Sequence, residues 1–336
     1  MIEVRDLVKR YGRHTAVDHL SFTVEGGQAY GFLGPNGAGK STTMNIMTGY
    51  LGPTEGEVLV DGHSMTEEPE AAKGRIGYLP EQPPLYPDMT VEEYLSFAAA
   101  LKRVPARDRE AELERVAGLT MLTGVEGRLI RNLSKGYRQR VGIAQALLGD
   151  PEIVILDEPT VGLDPKQIIE IRALIRDLAR AHTVILSSHI LAEVQAVCDR
   201  ILIIHHGRMV ASGTPEELER DLAGDRFLQV TLQTETERGL ALLRGIPGAG
   251  PAELLPGAAE GESTFRLESA GGDLREAVFR ACVREDVPLL GLHAGGMTLE
   301  DVFLQLTADD AQEEAPDQPP EDREPGAEAA GEEDAP

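Results

Sequence analysis

The run Gly34-Pro35-Asn36-Gly37-Ala38-Gly39-Lys40-Ser41 fits the pattern G-x-x-x-x-G-K-[ST]. That spacing makes a phosphate-binding loop. Glycines let the backbone wrap closely around phosphate oxygens, and a helix opening there adds free N–H groups and the positive end of its dipole. Lys40 would reach the β- and γ-phosphates of a nucleotide and Ser41 would ligate Mg²⁺, with Gly34, Asn36, Gly37, Gly39 and Thr42 completing the cradle. A second acid pair follows the apolar run Ile153-Val154-Ile155-Leu156. Asp157 suits a carboxylate that holds Mg²⁺, and Glu158 suits a base that orients and deprotonates a water. Together the two motifs call for hydrolysis of a nucleoside triphosphate.

Such groups need a rigid scaffold. The phosphate loop follows the strand-like AYGFL and precedes STTMNIMTGY, which reads as a helix, the context the motif requires. Short strand patterns with Gly-rich turns fill residues 1–60. VEEYLSFAAALK and DREAELERVAGLTML have helical spacing of apolar positions. Apolar runs return at 153–157, 183–188 and 200–207, alternating with helical stretches at 165–181 and 190–197. Continuous Val/Ile/Leu runs between helices predict parallel strands covered on both faces. The fold class is therefore α/β over residues 1–222, with a helical insertion at about 85–149. The pattern changes near 222–226. Residues 226–307 read as strand, helix, strand, strand, helix, strand and a last helix at 298–306, the β-α-β-β-α-β order of a small α+β, ferredoxin-like domain. Residues 308–336 carry 12 acids against Arg323 alone, with no Ile, Leu, Val, Met or aromatic residue. They are expected to be a disordered acidic tail.

Composition narrows the class. The chain has 336 residues, 57 acidic against 32 basic, and a formal net charge of −25. Nucleic acid is gripped by clustered Lys and Arg, so this balance argues against it as a partner. Cys198 and Cys282 are the only cysteines, which points to a reducing compartment. No apolar run approaches the ~18 residues of a membrane span, and the first residues lack the apolar segment of a secretion signal. The expectation is a cytoplasmic chain that meets a membrane only through a partner.

Leu133-Ser134-Lys135-Gly136-Tyr137, shortly before the acid pair, resembles the signature sequence of the ATP-binding cassette (ABC) family, most often LSGGQ. Lys135 stands for the first glycine and Tyr137 for the glutamine. This variant is similar to that of bacterial export-type ATPases with separately encoded permeases. Other family positions match in order. Tyr11 resembles the aromatic that stacks on adenine, and Gln82 the glutamine that senses Mg²⁺ and the attacking water. Asp164, in Gly162-Leu163-Asp164, resembles the residue that faces the partner subunit. His189 resembles the switch histidine at the γ-phosphate.

The resemblance implies a P-loop ATPase using ATP and Mg²⁺, with Glu158, His189 and Gln82 catalytic and Ser41, Gln82 and Asp157 at the metal. It implies a head-to-tail dimer, homo- or heterodimeric, in which Ser134, Gly136 and Asp164 meet nucleotide across the interface. It also implies a separate membrane permease, docked on residues 83–101 with Leu85, Tyr86 and Met89. The other reading is a cassette acting off the membrane, in translation or DNA maintenance. Such relatives carry paired cassettes or a long coiled coil, and no heptad array of that length fits between residues 41 and 134.

Overall fold

A computed structural model describes residues 1–222, 227–256, 261–269 and 274–295, and residue 300. The strands expected within residues 1–60 divide between two sheets. β1 (Ile2–Tyr11) pairs antiparallel with β2 (His14–Val24) and with β4 (Glu55–Val60), and β5 (His63–Ser64) closes that sheet beside β4. β3 (Ala29–Leu33) leaves its neighbours and enters a second, six-stranded sheet.

That second sheet holds β6 (Ile76–Leu79), β7 (Ile153–Leu156), β8 (Thr183–Ser188), β9 (Arg200–His205) and β10 (Arg208–Gly213) in the order β10-β9-β3-β8-β7-β6. All its pairs are parallel except β9–β10. Its strands send alternate side chains into two cores, with a register shift in β10 between Met209 and Ala211. Ile153 and Ile155 of β7 face one core, while Val154 and Leu156 face the other. Both faces are covered, which is why the run is apolar throughout rather than alternating with polar residues. One face packs on α1 (Lys40–Met47) and on the antiparallel sheet, through Met44, Met47, Ile2, Val4 and Val60. The other packs on α6 (Pro165–Leu178) and on the inserted helices α3 (Val91–Leu101), α4 (Arg109–Leu119) and α5 (Lys135–Leu147).

β6 was not expected from sequence. It is four residues long and contains a glycine, so its pattern is too short to stand out. Gly77 is required by packing: a Cβ there would lie 2.1 Å from the Ala146 carbonyl of α5. The helix expected at 190–197 is shorter, α7 (Leu191–Gln195). It lies directly on β3, where a Cβ on Gly31 would come within 2.0 Å of Val194 and 3.1 Å of the Cys198 sulfur. Two short helices, α2 (Pro69–Lys73) and α8 (Pro215–Leu222), complete this part of the chain.

The remaining elements are β11 (Phe227–Leu232), α9 (Thr236–Arg244), β12 (Ala249–Leu255), β13 (Ser263–Ser269), α10 (Arg275–Arg284) and β14 (Leu289–Gly295). Their sheet runs β12-β13-β11-β14 and is antiparallel throughout. Phe265, Val230, Leu232, Leu243, Val278 and Cys282 form its core. The helix expected at 298–306 and the acidic tail at 308–336 lie outside the described residues.

Candidate functional site

The phosphate loop joins the end of β3 to the start of α1. Gly39 is the residue before the helix, at φ 98°, and no side chain caps it. The first N–H groups of a helix have no partner within it, so this turn keeps free donors for an anion. Gly39 also has no room for a side chain: a Cβ would lie 2.4 Å from the Ala16 carbonyl of β2. Gly37, at φ 82°, makes the other left-handed turn. Lys40 is 6% exposed. Its ammonium donates to the carbonyls of Gly34 at 2.8 Å and Pro35 at 3.0 Å, and lies 3.8 Å from the Glu158 carboxylate. Burial pushes its pKa below the ordinary value, and Glu158 and Asp157 pull the other way.

The acid pair sits at the end of β7, facing the loop across the sheet. Asp157 Oδ1 accepts from Ser187 Oγ at 2.6 Å and from Ser41 Oγ at 3.4 Å. Ser187 Oγ accepts in turn from the Glu158 N–H at 2.8 Å. Glu158 is buried at φ 47°, a conformation that non-glycine residues seldom hold and that costs about 1–3 kcal/mol. The bend aims its carboxylate at His189, whose Nδ1 lies 3.1 and 3.2 Å from the two oxygens. One strand end thus carries a buried carboxylate pair, and the neighbouring strand end carries the histidine.

A cleft of about 460 Å³ gathers Tyr11, Asn36, Gly37, Gly39, Lys40, Ser41, Thr42, Glu158 and His189. Gly34 lies beneath it as the acceptor for Lys40, and Asp157 lies beneath Ser41. His14, Ala16, Glu81 and Val161 also line the cleft. Sequence reasoning named none of these four. His14 pairs with Tyr11 across the β1–β2 turn, a relation that hairpin spacing could have disclosed. Ser187 was also missed, although two serines closing a buried apolar run, TVILSS, were a legible signal. Gln82 is exposed and does not line the cleft, while its neighbour Glu81 does.

Ser134, Gly136 and Asp164 are placed elsewhere. Ser134 caps α5, accepting from the Tyr137 N–H at 3.4 Å, and Asp164 caps α6, accepting from the Gln167 N–H at 3.0 Å. The two helix starts abut. A Cβ on Gly136 would lie 2.6 Å from Gln167 Oε1, and one on Gly162 would lie 2.2 Å from Lys135 Nζ. Ser134 and Asp164 are both exposed on this edge.

The residues present fit nucleotide and Mg²⁺. Uncapped N–H groups and a lysine line the cleft, and Gly34 and Gly39 of the loop have no room for a Cβ against the Ile204 and Ala16 carbonyls. Ser41 Oγ and Asp157 would supply two hard oxygen ligands. Mg²⁺ usually takes only one or two protein ligands and completes its shell with phosphate and water. Among the described residues no cluster of three or more His, Cys, Asp or Glu side chains could hold a metal by itself.

Fold and site together define a P-loop nucleoside triphosphatase. The model of the ABC transporter family matches residues 17–161. The linearmycin resistance ATP-binding protein LnrL of Bacillus subtilis is 34% identical over 91% of this chain and 98% of its own. The daunorubicin resistance ATP-binding protein DrrA3 of Streptomyces coeruleorubidus is 33% identical over 92% of this chain and 96% of its own. Among solved structures, a dimeric ATP-binding cassette in a post-hydrolysis state with ADP and Pi superposes with a TM-score of 0.58 at 25% identity, covering 64% of this chain and 98% of its own. The chain belongs to the ABC transporter family, as an ATP-binding subunit with ATPase activity. No helix among the described residues is long and apolar enough to cross a membrane.

Proposed function

We propose that this subunit hydrolyses ATP at a head-to-tail dimer interface to drive export of a small toxic compound through a separately encoded permease at the cytoplasmic face of the membrane. The observation that carries this reading is the Lys40–Glu158–His189 constellation in one cleft, beside an outward edge bearing Ser134 and Asp164. The resistance functions in the names of LnrL and DrrA3 support the direction of transport.

In this reading the adenine stacks on Tyr11. Lys40 turns from its carbonyl partners to the β- and γ-phosphates, and the loop N–H groups bind the same oxygens. Ser41 and Asp157 would hold Mg²⁺, with Gln82 joining from its loop; the cation would supply charge neutralisation along the triphosphate. Glu158 takes a proton from the attacking water, and His189 fixes its carboxylate and the γ-phosphate. Ser134, Gly136 and Asp164 serve the nucleotide of the partner subunit.

Residues 1–222 form the nucleotide-binding unit, with the insertion at 85–149. The domain of residues 226–307 takes a regulatory or dimer-supporting role, and the strand order β12-β13-β11-β14 fits a ferredoxin-like plan. The permease docks on the insertion. Tyr86 is 50% exposed and packs on Tyr94 and Phe97 at centroid distances of 5.9 and 5.6 Å, making an apolar surface beside Leu85 and Met89.

The test is Glu158→Gln. Its hydrolysis should fall a hundredfold or more relative to wild type, on the order of the loss of a general base. Its mass should double on adding Mg-ATP while wild type turns over and stays mostly monomeric. A mutant that hydrolyses at the wild-type rate removes Glu158 as base. One that stays monomeric with ATP removes the site built from two identical chains and leaves pairing with a different cassette.

A further inference from the structure

Glu193, on α7, has no part in the machinery above, yet it is a carboxylate only 6% exposed. It is fully engaged. Its Oε2 accepts from the Thr160 hydroxyl and, at 3.4 Å, from the Ser188 hydroxyl. Its other oxygen lies 3.5 Å from the Arg172 guanidinium. Ser188 Oγ accepts from the Ile190 N–H at 3.0 Å, so its single proton is free for Glu193.

The positions of these partners are informative. Thr160 is two residues past Glu158. Ser188 directly precedes His189. Arg172 lies on α6, the helix that Asp164 caps. One carboxylate therefore joins the segment carrying the base, the turn carrying the histidine, and the helix whose start lies on the outward edge. None of Glu193, Thr160 or Ser188 lines the cleft, so any effect on chemistry passes through Glu158 and His189. Packing alone does not call for an acid here. α7 already buries Leu191 and Val194, and a buried charge is unfavourable unless donors surround it. Two hydroxyls and a guanidinium converging on it make a network that fixes geometry.

We propose that Glu193 is a positioning residue for ATP hydrolysis. It latches the segment after Glu158 to the turn before His189, holds the two groups at hydrogen-bond distance, and ties both to α6. This rests on the roles proposed for Glu158 and His189.

The test uses the full-length chain and Mg-ATP. Thr160→Val keeps the shape and deletes the donor, Thr160→Ser restores it, and Glu193→Gln keeps an acceptor of the same size but removes the charge. Thr160→Val should lower kcat about ten- to a hundredfold, the scale of a small misplacement of catalytic groups. Its KM for ATP should stay within about twofold of wild type, because the phosphate cradle is untouched. Thr160→Ser should recover most of the rate. Combining Thr160→Val with Glu193→Gln should cost less than the product of the two single losses, since both weaken the Thr160–Glu193 contact.

A kcat within about twofold of wild type for Thr160→Val, measured well below its melting temperature, overturns the latch. So does a melting point that falls with no change in kcat. Glu158→Gln assayed in parallel separates the two failures. A full-rate Glu158→Gln sinks the base assignment and the latch with it. An inactive Glu158→Gln beside a full-rate Thr160→Val sinks the latch alone.

Discussion

Gly39 shows how narrow the tolerance is at the scale of one residue. Its φ of 98° excludes most side chains, and the Ala16 carbonyl occupies the place of a Cβ. Gly39→Ala therefore carries backbone strain of about 1–3 kcal/mol and a backbone clash. The variant is expected to melt at a lower temperature and to lose ATP binding, read by calorimetry and by equilibrium titration with Mg-ATP. Gly37→Ala has a positive φ but open space around it, so it should retain more binding than Gly39→Ala. Residues of this kind were legible in the sequence because their types and spacing are local. Lys40, Ser41, Asp157, Glu158 and His189 each sit at a strand end or helix start that its own neighbours announce. Glu81 was not legible as a site residue. It reaches the cleft from the loop after β6, and only the pairing of distant segments brings it there.

At the scale of elements, α5 is held at both ends by different chemistry. Ser134 caps its start. Its last carbonyls are taken by cations from the insertion: Lys102 donates to Ala146 O at 2.8 Å and Leu148 O at 3.0 Å, and Arg115 donates to Leu147 O at 2.9 Å. Positive charge belongs at that end of the dipole. Burial still pushes Lys102 down to about 8, against the pull of Glu112, from an ordinary 10.5. Between those two values the unfolded chain holds a proton that the folded chain has released, so stability contributed by this group rises with pH across the window. Lys102→Met removes the dependence. Urea unfolding should show the wild type gaining about 2 kcal/mol on the variant between about pH 8 and pH 10. A constant difference would contradict the burial of the ammonium. The helices of the insertion were readable from their apolar period. β6 was not, because its four residues owe their strand state to pairing with β7 and to the close approach of α5 at Gly77.

At the scale of the whole molecule, the described residues form three apolar cores, two sharing the six-stranded sheet and one in the C-terminal sheet. The alternation of apolar runs and helices made the α/β plan legible. The separate antiparallel sheet was not, since β1, β2 and β4 look in sequence like neighbours of β3. The two cysteines fall in different cores: Cys198 against β3 beneath α7, and Cys282 on α10. Burial pushes both thiols up, so each stays protonated and shielded until its surroundings open. Labelling of the native protein by an excess of aromatic disulfide thus runs two clocks in one tube. Mg-ATP stabilises the unit that binds it by mass action. It should slow the Cys198 clock in proportion to saturation and leave the Cys282 clock running at its former rate. Equal slowing of both would mean that the two halves of the chain open as one cooperative body, and every measurement of local breathing in one would then report on the other.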